Sequence, residues 1–404
     1  MTSRPPLSRD RRLLFITWAV FLPVLVVAVA LAIWALPLLR ERRYLRYVIQ
    51  TRLADQTLAG VGRAAIAPED YAAWADHVRQ CYREPSAVDL ERISWNLRCR
   101  PMPFIGYAPE PGDQTEGAIN AHQLRSRRPL VLPKPPGVFR VFLTGGSLAY
   151  SVGAPALEST IAGCLETALA QRPALAGWRV EVFNAAVPAW SSTHERIRIE
   201  NDISRWEPDL VISLTGVNDA HWGFEGMDIL SFRANEEIMY FELIRGGMRI
   251  AGAEPYAHAP PAMWGDPVDP GLVARRFAWN MSLAGDALRR AGVPFLVAIQ
   301  PYLAAQYKPL TPGETSWLAR HEDPGKMDYI DQAADAMLQA LRAEAQTAAP
   351  PPFHIADLRR VFAQRDDPIF LDGLHVGDKG NALIAAALAE QVVAILTEES
   401  FGGG

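Results

Sequence analysis

The chain has 404 residues, 49% of them hydrophobic and 21% charged, with a formal net charge of −5. This balance suits a folded chain with a sizeable core and excludes a disordered or strongly basic one. No basic stripe with interleaved aromatics occurs, so nucleic acid is not an expected partner.

Residues 1–12 form a short tail. Residues 13–39, LLFITWAVFLPVLVVAVALAIWALPLL, carry no charge between Arg12 and Arg40. About 20 apolar residues span a bilayer core, and Pro23 and Pro37 are tolerable in such a helix. A cleaved signal has a shorter apolar run followed by small residues, whereas Arg and Tyr follow here. The expectation is one retained transmembrane helix. Arg4, Arg9, Arg11 and Arg12 precede it and Arg40, Arg42, Arg43 and Arg46 follow it, so arginine counting leaves the orientation open. Cys81 and Cys99 lie 18 apart and are able to pair in an oxidising compartment, although an unpaired state is an equal reading. Cys164 reads as buried filler.

Residues 40–137 read as a connecting region. Residues 40–80 read as helical, with PEDYAAWADHVRQC carrying acids in its first turn. Residues 100–137 read as extended and proline-rich, ending in PKPPG, and the boundary of the next domain is expected at 138.

From 138 to 398 the pattern is strand–helix alternation. Strands are expected at 138–144, 178–184, 208–215, 294–300 and 353–358. Helices are expected near 156–171, 192–205, 271–291, 326–348 and 379–397. Near-continuous apolar strands alternating with helices predict an α/β fold around a parallel sheet buried on both faces. Ligand chemistry in such sheets gathers at the carboxyl ends of the strands. Residues 220–270, rich in Trp, Phe, Tyr, Gly and Pro, read as an insertion or lid, and residues 399–404 as a tail.

The strand ends carry the informative residues. The first runs into Thr144-Gly145-Gly146-Ser147, which places a serine after a tight turn at the start of a helix. Free N–H groups and the positive dipole end there favour an oxyanion. The second ends at Asn184 and continues Ala185-Ala186-Val187-Pro188-Ala189-Trp190. The third ends in Thr215-Gly216-Val217-Asn218-Asp219, where Asp219 reads as a loop-orienting acid. Before the last helix stands Asp372-Gly373-Leu374-His375, whose acid and imidazole are spaced to share a hydrogen bond.

Four such blocks in this order resemble the SGNH hydrolases, also called GDSL hydrolases, over residues 138–397. The resemblance implies a three-layer α/β/α sandwich with a parallel sheet of about five strands. It makes Ser147 the nucleophile, His375 the general base and Asp372 the residue that orients it. It places the oxyanion between the N–H groups of Ser147 and Ala189 and the amide of Asn218. Two positions depart from the family pattern. Gly146 replaces an aspartate outside the triad. Ala189 replaces a glycine, and it keeps the N–H but is strained if the position demands positive φ. The lead-in before Gly145 and the phrases at Gln300–Leu303 and Lys308–Thr311 are similar to a subgroup with one N-terminal span.

The expected activity is hydrolysis of short acyl esters, O-acetyl esters on carbohydrate above all, with Trp190, Trp222 and Phe224 as substrate-contacting aromatics. Tyr256 and Trp264 belong to the same group. Transfer of the acyl group to a sugar hydroxyl and silent glycan binding are the alternatives. GxSxG, HExxH, CxxC and Walker A patterns are absent, so neither a metal nor another cofactor is expected. The expected location is the membrane, with the folded domain on the extracytoplasmic (periplasmic) side.

Overall fold

The structure is a computed structural model that describes residues 18, 21–26, 29, 71–88, 99–102, 104–112, 118–226 and 265–402. The chain divides into two compact units. In the first, residues 1–52 and 242–257, the described residues 18, 21–26 and 29 are helical and exposed. The rest of the expected span 13–39, the helical reading of 40–70 and most of the 220–270 insertion lie outside the described residues.

The second unit, residues 53–241 and 258–404, holds the α/β fold. In chain order its elements are α1 (Tyr71–Gln80), β1 (Cys99–Met102), β2 (Gly106–Pro109), β3 (Val138–Gly145), α2 (Ser147–Tyr150) and α3 (Ile161–Ala170). Then come β4 (Arg179–Asn184), α4 (Ser192–Asn201), β5 (Leu210–Thr215), α5 (Val217–Phe224) and α6 (Pro270–Arg290). Last are β6 (Phe295–Ile299), α7 (Pro312–His321), α8 (Pro324–Ala345), β7 (His354–Asp357) and α9 (Asp378–Gly402).

The five expected strands form one parallel sheet in the order β4-β3-β5-β6-β7. Side chains alternate across it, so each strand feeds two cores. Val141, Leu143, Ile212 and Leu214 share one core with Leu165 of α3 and Leu388 of α9. Phe142, Val211, Phe295 and Val297 share the other with Phe277 of α6 and Met337 of α8. The result is a three-layer α/β/α sandwich. From β3 the chain goes first to the edge strand β4 and then back across to β5. The strand order therefore reverses between β3 and β5, where open α/β sheets hold their ligands.

Helix starts follow local rules. Asp269 and Asp323 cap α6 and α8, each with Pro at the first turn. Thr311 and Glu314 form a reciprocal capping box on α7.

The described parts of the segment before β3 pack into the fold. Trp74, Val78, Cys81 and Tyr82, on and just after α1, enter the same core as α9. β1 and β2 form an antiparallel hairpin at the start of the stretch read as extended and proline-rich. Neither Cys81 nor Cys99 is in a disulfide. The buried Cys81 thiol donates instead to the carbonyl of Phe370 at 3.3 Å. Among the described residues one helix, Asp378–Glu398, is long and apolar enough to cross a membrane. Ile384, Leu388 and Val392 along it are fully buried, as in a core helix.

Candidate active site

The reversal of strand order brings β3 and β5 side by side, and with them the loops that follow. Gly145 has φ 140°, and a side chain there would strike the Leu214 carbonyl of β5. A side chain at Gly146 would strike the Asn218 amide. Both glycines are required by this close approach, and Ser147 follows at the first position of α2.

The Asp372–His375 loop is closed by a bridge between Phe370 and Val376, and by the Leu371 N–H donating to the His375 carbonyl at 2.8 Å. Asp372 Oδ1 accepts the N–H groups of Leu374 and His375, each at 2.6 Å. Its other oxygen, Oδ2, lies 2.7 Å from His375 Nδ1. His375 Nε2 lies 2.7 Å from Ser147 Oγ. A carboxylate only accepts, so Nδ1 carries the proton and Nε2 is left to accept from the serine hydroxyl. Asp372 and His375 are buried, while Ser147 is half-exposed. The structure thus brings together the three residues the sequence singled out.

Ala189 and Asn218 share Ser147's half-exposed state amid buried neighbours. Asn218 Nδ2 donates to the Trp190 carbonyl at 2.7 Å, which leaves its second N–H for another acceptor. Ala189 has φ 66°, the left-handed conformation that makes its replacement of glycine costly. An L-residue there pays about 1–2 kcal/mol. Ala189→Gly is therefore expected to stabilise the fold by up to about 1 kcal/mol after the extra chain entropy of glycine is subtracted, read as a higher thermal midpoint.

A buried acid that sequence reading passed over lies beneath these loops. Glu195 of α4 accepts the hydroxyls of Thr144 at 2.7 Å, Ser213 at 2.5 Å and Thr215 at 2.6 Å. It thereby ties the ends of β3 and β5 together. Burial pushes its carboxyl up to about 7, against the hydroxyl bonds that pull it down. The folded value lies above the unfolded one, so stability is fully present below about pH 4.5 and is lost as pH rises through about 7. The swing is on the order of 3 kcal/mol. Urea midpoints for wild type should fall across that range, and those of Glu195→Gln should fall less, the remaining drop coming from Asp219, which burial raises in the same sense.

Asp219 ties the same loops as the sequence suggested. It accepts the Ser192 N–H at 2.9 Å and hydroxyl at 2.5 Å, and burial pushes its carboxyl up to about 6. Burial holds His194 down to about 4, so it stays neutral in the middle of the pH range.

The aromatic expectation needs correction. Trp190 is 1% exposed and Trp222 5%, so neither presents a face to a substrate. Trp190 stacks on His194 with ring centroids 5.9 Å apart, and Trp222 Nε1 donates to the Ala189 carbonyl at 3.3 Å. Phe224 is half-buried against Tyr329, 5.7 Å away. Tyr256 and Trp264 lie outside the described residues.

The parallel sheet with helices on both faces and four motif loops on one rim is the three-layer α/β/α arrangement that the SGNH/GDSL resemblance implied. Similar solved structures include an acetyl xylan esterase, 14% identical, TM-score 0.38, covering 63% of this chain and 100% of its own. A lipase/acylhydrolase from Enterococcus faecalis is 14% identical, TM-score 0.38, covering 63% of this chain and 95% of its own. A GDSL-like lipase from Bacteroides thetaiotaomicron is 9% identical, TM-score 0.36, covering 66% and 93%. No protein-family model and no curated protein matches the chain.

Proposed function

We propose that the chain is a serine esterase. Ser147 Oγ attacks the ester carbonyl carbon as its proton passes to His375 Nε2. Asp372 holds the imidazole and balances its charge. The oxyanion is held by the N–H groups of Ser147 and Ala189 and the Asn218 amide. The tetrahedral intermediate collapses, the bond to the alcohol oxygen breaks, and His375 returns the proton to that oxygen. Water, deprotonated by His375, then attacks the acyl-serine and frees both the acid and Ser147. The observation that carries this reading is the relay Asp372–His375–Ser147, with both links at 2.7 Å.

The proposed substrate is a short acyl ester, O-acetyl in particular, carried on a carbohydrate. Support for the short acyl group comes from the close-packed surroundings of Ser147, where Gly145, Gly146 and Ala149 are buried. The proposed location is a membrane tether through residues 13–39 with the α/β unit on the periplasmic side. Trp18, Phe21, Leu22, Val24, Leu25, Val26 and Val29 support the tether, being 45–61% exposed, and so apolar on all sides of a helix.

The test uses the full chain in detergent with p-nitrophenyl acetate, p-nitrophenyl butyrate and an acetylated oligosaccharide. We expect acetate release from the oligosaccharide and a higher kcat/KM on the acetate than on the butyrate. A preference for butyrate would remove the short-acyl assignment. Acyl release only in the presence of an added sugar acceptor would mark a transferase using the same acyl-enzyme.

A further inference from the structure

We infer that Tyr107, on the hairpin before the α/β domain, is a positioning residue that aims one of the proposed oxyanion donors. The inference rests on the esterase reading above. Its basis is peptide geometry. The carbonyl of Pro188 and the N–H of Ala189 belong to one planar peptide unit and point in opposite directions. Whatever fixes the Pro188 carbonyl therefore aims the Ala189 N–H.

Tyr107 is 2% exposed, and its hydroxyl donates to the Pro188 carbonyl at 2.5 Å. The strap is reciprocal, because Trp190 Nε1 donates to the Tyr107 carbonyl at 3.3 Å. Ile105, Tyr107, Val187 and Trp190 form a small hydrophobic cluster of their own, which seats the hairpin on this loop. The next two carbonyls are held as well. That of Ala189 accepts from Trp222 Nε1 at 3.3 Å and that of Trp190 from Asn218 Nδ2 at 2.7 Å. On the other side, the Val187 N–H donates to the Gly145 carbonyl at 3.0 Å, tying the loop to the end of β3.

Three consecutive carbonyls are thus gripped by three side chains, at the residue whose φ of 66° no alanine prefers. Alanine lacks glycine's ease in this region, so the loop needs outside restraint to hold the conformation. Tyr107 supplies it at the peptide unit that contains the donor. The β1–β2 hairpin thus backs the loop that carries the donor.

The test is Tyr107→Phe in the full chain, with p-nitrophenyl acetate hydrolysis and inhibition by a trifluoromethyl ketone. That ketone adds to Ser147 as a hemiketal whose oxyanion needs the same donors. Loss of a whole oxyanion donor costs about 100–1,000-fold, and a loosened one about 10-fold, so kcat should fall ~10-fold with KM within ~2-fold. Affinity for the ketone should fall by the same ~10-fold factor. A purely structural role would lower the thermal midpoint and leave kcat per folded molecule and ketone affinity alone. That outcome would overturn the inference. If Tyr107→Phe does not fold, 4-fluorophenylalanine at position 107, which keeps the ring and a para substituent of similar size but donates no hydrogen bond, must show the same split between kcat and KM, and unchanged kcat there would equally overturn it. Absence of fluorophosphonate labelling at Ser147 in the wild type would instead sink the esterase reading itself.

Discussion

Replacing Ser147 with alanine is expected to lower ester turnover by about five to six orders of magnitude while leaving the fold intact. Single removal of a serine or histidine from such a relay costs about as much as removing the whole set. The geometry here has that interdependence. His375 Nε2 faces Ser147 Oγ at 2.7 Å, and its Nδ1 is committed to Asp372. Without the hydroxyl, the imidazole has no nucleophile to activate, and the oxyanion donors act on nothing but water's slow attack. The fold should survive because Ser147 is half-exposed and alanine suits the first turn of α2. The measurement is kcat on p-nitrophenyl acetate beside far-ultraviolet circular dichroism. A loss of less than about 100-fold in a folded variant would place the nucleophile elsewhere.

Lys308→Met is expected to cost about 3–5 kcal/mol of stability, because it strands a buried carboxylate. Lys308 and Glu314 are 1% and 0% exposed at their side chains, with Nζ and Oε2 2.8 Å apart. Glu314 Oε2 also accepts the Thr311 N–H and hydroxyl, while Oε1 accepts the N–H groups of Ile369 and Phe370. The pair therefore anchors the stretch that leads directly into Asp372. Burial alone would raise the Glu314 carboxyl, but Lys308 and these N–H donors outweigh it and hold the group below its ordinary value. Its folded value is depressed, so its contribution is present above the unfolded value and fades as pH falls through the folded one. Urea unfolding at neutral pH reads the Lys308→Met loss directly. A change under about 1 kcal/mol would mean that the remaining donors suffice for the carboxylate.

The sheet and the relay were legible in the sequence for a physical reason. A parallel strand buried on both faces must be apolar nearly throughout, and VFRVFLT or LVISLT shows that without any context. The blocks at the strand ends could then be read in order, and Asp372 and His375 are local enough that their pairing follows from spacing. The hairpin β1–β2 was hidden because its four-residue strands are proline-rich and owe their order to Trp190, far along the chain. α7 was overlooked although Thr311, Pro312 and Glu314 give a capping-box start, since its ten residues carry only a weak apolar stripe. Glu195 resembled any surface acid on a helix. Its burial follows from hydroxyls that β3 and β5 present together only after the sheet forms. The tryptophans misled for a related reason, since an aromatic beside a site packs inward or faces a ligand with the same letter in the sequence.

The most direct test of the central claim is to incubate the full chain with a fluorophosphonate and map the adduct by tandem mass spectrometry. One adduct is expected, a phosphorus bond to Ser147 Oγ formed as fluoride leaves, and it should be lost in His375→Ala. An adduct at another residue, or none in folded wild-type protein, would contradict it.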